Sequence, residues 1–254
     1  LRDNPLRDPH ARKLAVWLPP AYDEAAGRGR GRRLPVLYDL VGFTGSGLAH
    51  INWRPFDENV PERVSRLVAE RRMGPAILVF PDCFTCLGGN QYVNSSAIGR
   101  YADYLTREIV PLVDREFRTL ASREHRGCFG KSSGGYGAMI HGMKYAKHWG
   151  AIADHSGDAY FDFCYMTDWP RTLNELDRYR KPPRRAGRID VARDAKASGR
   201  GEDDGRVRRF LEAIWSKDKL NDAEAHALMM LAMAATYDPD PRAPNGFRLP
   251  YNLE

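Results

Sequence analysis

A serine between two glycines is the residue in this sequence best suited to chemistry. Gly130, Ser132 and Gly134 form a G-x-S-x-G pattern, which is typical of a nucleophile elbow, a sharp turn from a strand into a helix. The glycines allow the backbones to pass closely, so that the serine hydroxyl stands exposed at the turn. The next amide, that of Ser133, would lie at the helix N-terminus, where unpaired N–H groups favour a developing oxyanion. The pattern therefore predicts nucleophilic catalysis by Ser132.

Two other interpretations of this stretch are weaker. Gly130, Lys131 and Ser132 resemble the end of a phosphate-binding loop, but His125 stands where that motif requires its first glycine. Ser133 is a rival nucleophile by adjacency only, because Lys131 would occupy its preceding glycine position. The flanking sequence reads as a short strand over residues 124–129 and a helix over residues 134–145, and this context favours the elbow.

Strands and helices are predicted to alternate around this turn. A strand over 13–19 has the pattern of an antiparallel edge strand, whereas 34–40 and 76–80 are nearly continuous apolar runs, typical of strands buried on both faces. Helices are expected over 55–71 and 98–117, the second with a kink at Pro111. Another strand is expected over 150–154. The sequence therefore predicts a doubly wound, mostly parallel α/β sheet.

The pattern changes after residue 171. Helices are expected near 173–179, 204–215 and 223–235, with an irregular, proline-rich stretch after them. We therefore predict an α/β core over 1–171, a helical cap over 172–236 and an irregular connector or tail over 237–254. Five aromatic residues at the end of the core are interpreted as either the floor of a substrate pocket or part of the core: Tyr160, Phe161, Phe163, Tyr165 and Trp169.

Composition excludes several classes of function. The 254 residues are 43% hydrophobic, enough to bury the core of one α/β domain with an insertion. The net charge of +6 arises largely from arginine-rich stretches at 27–33 and 178–188. Neither has the aromatic or recognition-helix pattern of a nucleic-acid site, so we expect no nucleic-acid partner. No run of about 18 apolar residues occurs, so no membrane partner is expected either.

The four cysteines favour a reducing compartment. Cys83 and Cys86 form a C-x-x-C pair, but a single pair without a second pair or a suitable histidine motif is weak evidence for zinc. We therefore expect reduced cysteines, a cytoplasmic location, and no metal or cofactor.

Together these motifs resemble the Putative esterase family of α/β-hydrolases, which includes enzymes like esterase D, enterochelin esterase and feruloyl esterase, and the mycolyltransferases. The resemblance covers roughly residues 13–165. It implies a small-molecule ester substrate, an acyl-enzyme on Ser132, and an oxyanion hole formed by the amides of Phe43 and Ser133. The stretches that carry it are 34–42, 76–82, 89–95, 101–117 and, most specifically, 129–138.

The sequence departs from this family after the serine. In these hydrolases the triad acid and then the histidine follow the serine, on loops after two further strands, but no later hydrophobic strand is recognisable here. Of the later histidines, His141 and His148 belong to or follow the elbow helix, and His226 is expected on a solvated helix face. His155, at a strand end near the elbow, is a pocket candidate together with Asp158.

Three functions remain open at this point. The first is a serine carboxylic-ester hydrolase, and our hypothesis for its missing base is truncation at the C-terminal end. The second is a catalytically impaired or inactive binding or scaffold protein that retains the fold. The third is an acyltransferase with the same residues. If the chain is complete, a histidine from another subunit of a homo-oligomer, or His155 with Asp158, would have to act as the base.

Overall fold

The central sheet has five strands in the order β1-β3-β2-β6-β7. The computed structural model describes residues 1–24, 31–180 and 204–250. In this sheet β1 pairs antiparallel with β3, and every other pairing is parallel. The strands are β1 (Ala15–Trp17), β2 (Val36–Leu40), β3 (Ile77–Phe80), β6 (Arg126–Lys131) and β7 (Ala151–His155), and a small hairpin is formed by β4 (Asn94–Ser95) and β5 (Gly99–Arg100). The predicted α/β fold, with its antiparallel edge strand, is confirmed.

Helices lie between the strands of the sheet and after the last of them. They are α1 (Pro20–Glu24), α2 (Val60–Ala69), α3 (Tyr101–Asp103), α4 (Val110–Glu116), α5 (Ser133–Lys144), α6 (Phe161–Cys164), α7 (Trp169–Asp177), α8 (Arg206–Trp215) and α9 (Asp222–Tyr237). A π-helical stretch, Tyr104–Ile109, joins α3 to α4. The irregular part of this long helix therefore precedes Pro111 rather than centring on it. The helix predicted from residue 55 begins only at Val60, because Asn59 and Glu62 form a capping box there.

The two faces of the sheet bury different clusters. Tyr38 and Leu40 of β2 point into the larger cluster, in which the Tyr38 ring packs edge-on against Trp149 at 5.3 Å between ring centroids. Leu37 points to the opposite face, toward Val64 of α2. At the far edge from β1, all five residues of β7 are exposed.

The helices after the core pack into the larger cluster. Ten of the sixteen residues of α9 are buried, and the Ser95 hydroxyl donates to the Ala235 carbonyl at 2.5 Å. Phe247 and Leu249, which follow α9, are buried in the same cluster. The predicted boundary after residue 171 falls inside α7, so residues on both sides of it share one helix and one core.

A buried histidine ties α5 to the loop after β3. Trp149 Nε1 donates to His141 Nδ1 at 3.0 Å, so the other ring nitrogen, Nε2, carries the proton and donates to the Tyr92 carbonyl at 2.9 Å. Burial lowers the pKa of His141 to about 4. The ring is therefore neutral near pH 7 and has a structural role.

We expect this histidine to make the fold sensitive to mild acid. Between pH 6.5 and pH 4 the unfolded chain binds a proton at His141 and the folded chain does not, so stability is lost as the pH falls through this window. From pH 7 to pH 5 this one group should lower the free energy of unfolding by about 2 kcal/mol. Urea unfolding of His141→Gln at both pH values should show a correspondingly smaller loss than the wild type.

The matched control is Met143→Gln, an exposed position on the same helix. It should retain the wild-type pH dependence. An equal loss of stability in the wild type and in His141→Gln between pH 7 and pH 5 would show that His141 is not responsible.

Candidate active site

Ser132 occupies the sharp turn between β6 and α5. Its backbone has φ 58° and ψ −125°, a left-handed φ that a side-chain-bearing residue adopts only where its surroundings hold it there. The Ser132 N–H donates to the His155 carbonyl at the end of β7 at 3.1 Å, and the Ser132 carbonyl accepts from the Tyr136 N–H at 2.9 Å. The neighbouring strand and the first turn of α5 therefore support the turn from both sides.

The loop after β2 passes directly beside this turn. A Cβ atom placed on Gly42 would lie 3.6 Å from Ser132 Cβ and 3.4 Å from the Lys131 carbonyl oxygen. In the next residues, the Thr44 N–H donates to the Gly88 carbonyl at 2.7 Å. Across the described residues, by contrast, the Phe43 and Ser133 N–H groups have no hydrogen-bond acceptor. Two unused amides therefore lie on the two segments that flank Ser132.

A hydrogen-bonding contact to a buried carboxylate holds the same loop. Asp39 of β2 is 1% exposed, and its Oδ2 lies 2.7 Å from His50 Nδ1. His50 ends a short 3₁₀ helix, Gly47–His50, whose Gly47 N–H donates to the Pro81 carbonyl at 3.2 Å. The loop that carries Phe43 is thus anchored to β2 before it and to the end of β3 beside it. The sequence analysis assigned no role to Asp39 or His50.

Asp158 is the acceptor of the Ser132 hydroxyl. Ser132 Oγ donates to Asp158 Oδ1 at 3.1 Å, and Ser133 Oγ donates to Asp158 Oδ2 at 3.1 Å. Gln91 Nε2 lies 3.4 Å from the same Oδ2. The structure therefore brings Ser132, Ser133 and Asp158 together, three of the residues that the sequence singled out.

Gln91 is a site residue that the sequence analysis missed. Its side chain is fully buried, and Nε2 lies 3.1 Å from Ser133 Oγ and 3.3 Å from the Tyr165 hydroxyl. The sequence feature that points to Gln91 is its position in the loop at the carboxyl end of β3, where open α/β sheets bind their ligands. Its residue type alone does not distinguish it from Asn90 or Asn94 in the same loop.

His155 contributes its backbone to the site. Its carbonyl accepts from Ser132, but its side chain is exposed and makes no hydrogen bond to any described residue. His141 is committed to Trp149 and Tyr92, and His226 Nδ1 contacts the Asp222 carbonyl at 2.8 Å. Among the described histidines, none has a side chain that is hydrogen-bonded to Ser132.

The aromatic residues after β7 divide into two groups. Tyr165 is 5% exposed, and burial raises the pKa of its hydroxyl above the ordinary range. Tyr160 and Phe163 are 69% and 71% exposed, with ring centroids 4.8 Å apart. Tyr165 therefore belongs to the core cluster, whereas Tyr160 and Phe163 are exposed on the surface.

A predominantly apolar cavity of about 380 Å³ lies behind this cluster. Its inner wall includes Phe161 and Tyr237, whose ring centroids are 4.6 Å apart, and Tyr237 also packs against Tyr136 at 5.4 Å. The Tyr136 N–H donates to the Ser132 carbonyl, so Tyr136 contacts both the elbow and two of the rings that line the cavity. The cavity is lined by Phe161, Tyr165, Met166, Trp169, Met230, Met233, Ala234, Tyr237, Asp238, Arg248, Leu249 and Pro250.

Neither a metal centre nor a membrane span is evident in the part of the chain that the structure describes. Residues 1–24, 31–180 and 204–250 contain no group of three or more His, Cys, Asp or Glu side chains arranged to hold a metal ion. Within the same ranges no helix has the length and apolar character needed to cross a bilayer.

Comparison with known proteins identifies the family. The family model described as Putative esterase matches residues 9–227, which include the elbow, the Gly42 loop and Asp158. The chain belongs to the Putative esterase family. The resemblance inferred from the sequence motifs is thereby confirmed.

Two relatives of this Putative esterase chain come from Mycobacterium tuberculosis. Esterase MT1326 (strain CDC 1551 / Oshkosh) and Esterase Rv1288 (strain ATCC 25618 / H37Rv) are each 33% identical to it over 162 residues. The match covers 61% of this chain and 31% of either esterase. The chain thus spans about a third of the length of these curated relatives.

Several solved structures are similar to this family member. A ferulic acid esterase is 20% identical, with a TM-score of 0.45, over 78% of this chain and 68% of that one. The serine hydrolase FphF from Staphylococcus aureus is 16% identical, with a TM-score of 0.46, over 87% and 66%. An S-formylglutathione hydrolase from Agrobacterium tumefaciens is 22% identical, with a TM-score of 0.41, over 55% and 50%.

Proposed function

We propose that this protein hydrolyses carboxylic esters through an acyl-enzyme on Ser132. The observation that carries the proposal is the hydroxyl of Ser132, held at a strained turn and hydrogen-bonded to a carboxylate at 3.1 Å. The unused amides of Phe43 and Ser133 on the flanking segments supply the oxyanion hole. Membership of the Putative esterase family supports the same reaction class.

The reaction proceeds in two half-reactions. Ser132 Oγ attacks the ester carbonyl as its proton passes to Asp158, and the carbonyl oxygen becomes an oxyanion held by the two amides. Collapse of this intermediate breaks the bond to the leaving oxygen, which takes the proton back from Asp158 or departs as an anion while Asp158 releases the proton to water, and the acyl-serine forms. A water molecule then attacks the acyl-serine as one of its protons passes to Asp158, and the carboxylic acid leaves as Ser132 Oγ takes that proton from Asp158.

In this proposal Asp158 accepts the proton of the Ser132 hydroxyl. A carboxylate is a much weaker base than an imidazole, so it transfers protons less efficiently near neutral pH. Esters with good leaving groups, such as p-nitrophenyl esters, need no protonation of the leaving oxygen. We therefore expect this site to acylate readily with activated esters and slowly with alkyl esters.

Covalent labelling tests the proposal. A fluorophosphonate should add one phosphonyl group per chain, and peptide mass spectrometry should place it on Ser132. The matched variant is Ser133→Ala, which keeps the backbone amide of the oxyanion hole and should label at Ser132 as the wild type does. Labelling at Ser133, or none on folded protein, would contradict the proposal, and the second outcome would favour a binding protein that retains the fold.

A further inference from the structure

Asp158 carries a charge that its neighbours do not balance. Its three hydrogen-bonding partners, Ser132, Ser133 and Gln91, are all neutral. Within the described ranges no Lys, Arg or His nitrogen lies within 4.0 Å of its carboxylate, whereas the carboxylates of Asp39 and Asp82 each have such a neighbour. The side chain is half-buried, so water screens the charge only in part.

The proposed chemistry moves this negative charge without removing it. The proton of Ser132 Oγ, which lies 3.1 Å from Asp158 Oδ1, passes to the carboxylate while the negative charge appears on the oxyanion of the tetrahedral intermediate. The site therefore holds one negative charge before and after the attack, and its partly dehydrated surroundings screen that charge only in part. A cationic group on the ester would be attracted to Asp158 in the ground state and to the oxyanion as it forms.

Exposed aromatic rings lie in the segment that directly follows this carboxylate. Tyr160 and Phe163 follow Asp158 closely in the chain and present largely exposed rings that pack against each other. Phe161, 38% exposed, packs 6.4 Å from the ring of Tyr136, whose N–H donates to the Ser132 carbonyl. Faces of aromatic rings attract cations, and several rings together suit quaternary ammonium groups.

We infer that the site selects esters that carry a quaternary ammonium group close to the reacting carbonyl. Asp158 supplies the opposite charge, and the rings of Tyr160, Phe161 and Phe163 contact the methyl groups of the cation. A quaternary rather than a primary ammonium fits because three donors already occupy the Asp158 oxygens, and a quaternary nitrogen requires no acceptor. This inference rests on the proposed esterase function of Ser132.

Binding of tetramethylammonium tests the cation site without any turnover. Calorimetric titration of Ser132→Ala should give saturable binding, and adding Asp158→Asn should raise Kd at least about 10-fold. Adding Phe163→Leu should raise Kd by a smaller factor of about 3. The matched control is Asp162→Asn, an exposed acid on the same segment, which should leave Kd unchanged in the Ser132→Ala background.

Paired substrates test the selectivity. The wild type should show a kcat/KM for acetylthiocholine at least about 10-fold above that for its neutral isostere, 3,3-dimethylbutyl thioacetate. In Asp158→Asn this ratio should fall toward one, whatever happens to the absolute rates. A wild-type ratio near one, or a ratio unchanged in Asp158→Asn, would overturn the inference.

The outcomes separate this inference from the proposed function. Fluorophosphonate labelling of Ser132 without tetramethylammonium binding leaves the esterase proposal in place and refutes the cation site. Tetramethylammonium binding that depends on Asp158, without any labelling of Ser132, refutes the esterase proposal and supports a cation-binding protein.

Discussion

Ser132→Ala is expected to lower kcat/KM for p-nitrophenyl acetate at least about 1,000-fold, a loss of about 4 kcal/mol of transition-state stabilisation. The alanine lacks the oxygen that forms the acyl-enzyme, and the hydrogen bond to Asp158 disappears with it. The oxyanion amides and the binding surface remain, so a small residual rate is expected rather than none. Initial rates under saturating and limiting substrate would give kcat and KM separately, with the larger loss in kcat.

The matched control for this variant is Ser156→Ala. Ser156 is an exposed serine near the same end of the sheet, and it also has a left-handed φ, of 50°. Both variants therefore place an alanine in a left-handed backbone conformation, and only one removes the proposed nucleophile. Ser156→Ala should retain the wild-type rate. If Ser132→Ala keeps more than a tenth of the activity, or if both variants lose it equally, Ser132 is not the nucleophile.

Gly134→Ala is expected to destabilise the protein by at least about 3 kcal/mol. A Cβ at this position would overlap the Leu40 carbonyl oxygen and lie 2.5 Å from the Leu40 carbonyl carbon. These are backbone atoms of β2, so they move only if the strand moves. Inside a helix alanine is intrinsically preferred over glycine by about 1 kcal/mol, so a large destabilisation here would report the steric overlap. Urea unfolding monitored by tryptophan fluorescence measures the change.

The control for this substitution is Gly74→Ala. A Cβ there would meet no heavy atom within 4 Å, and its backbone does not have the left-handed φ that disfavours alanine. Its free energy of unfolding should change by less than about 0.5 kcal/mol. Should Gly134→Ala prove as stable as Gly74→Ala, the close approach of α5 to β2 would not be required for the fold. Where Gly134→Ala folds partially, loss of activity is expected as well, because Leu40 leads directly into the Gly42 loop.

The local pattern of the chain determined most of the sheet. Continuous apolar runs at 34–40 and 76–80 predicted β2 and β3, because strands buried on both faces cannot alternate polar and apolar residues. The edge position of β1 followed from its alternation and its proline boundary. The ends of elements were harder to predict, since the start of α2 depends on the capping contact between Asn59 and Glu62.

Histidine roles depended on packing that no local pattern encodes. His141 lies about two and a half helical turns after Ser132, yet its ring is hydrogen-bonded to Trp149 and to the Tyr92 carbonyl. His155 stands at the end of β7, as predicted, but only its carbonyl meets Ser132. The side chains and the carbonyl groups of a strand point in different directions. The pairing of β6 with β7 determines that the carbonyl of His155, rather than its side chain, faces the elbow.

The sequence by itself determined the elbow: glycines on both sides of Ser132, a short strand before it and a helix after it are local features typical of this turn. Only the tertiary structure decided what surrounds the hydroxyl. Asp158 and Gln91 reach Ser132 and Ser133 from segments 26 and 42 residues away along the chain. The parallel register of β3, β2, β6 and β7 brings these segments to the same end of the sheet. Such long-range contacts arise from sheet order and packing, so the acceptor of the nucleophile, its unbalanced charge and the rings around it become visible only in the folded protein.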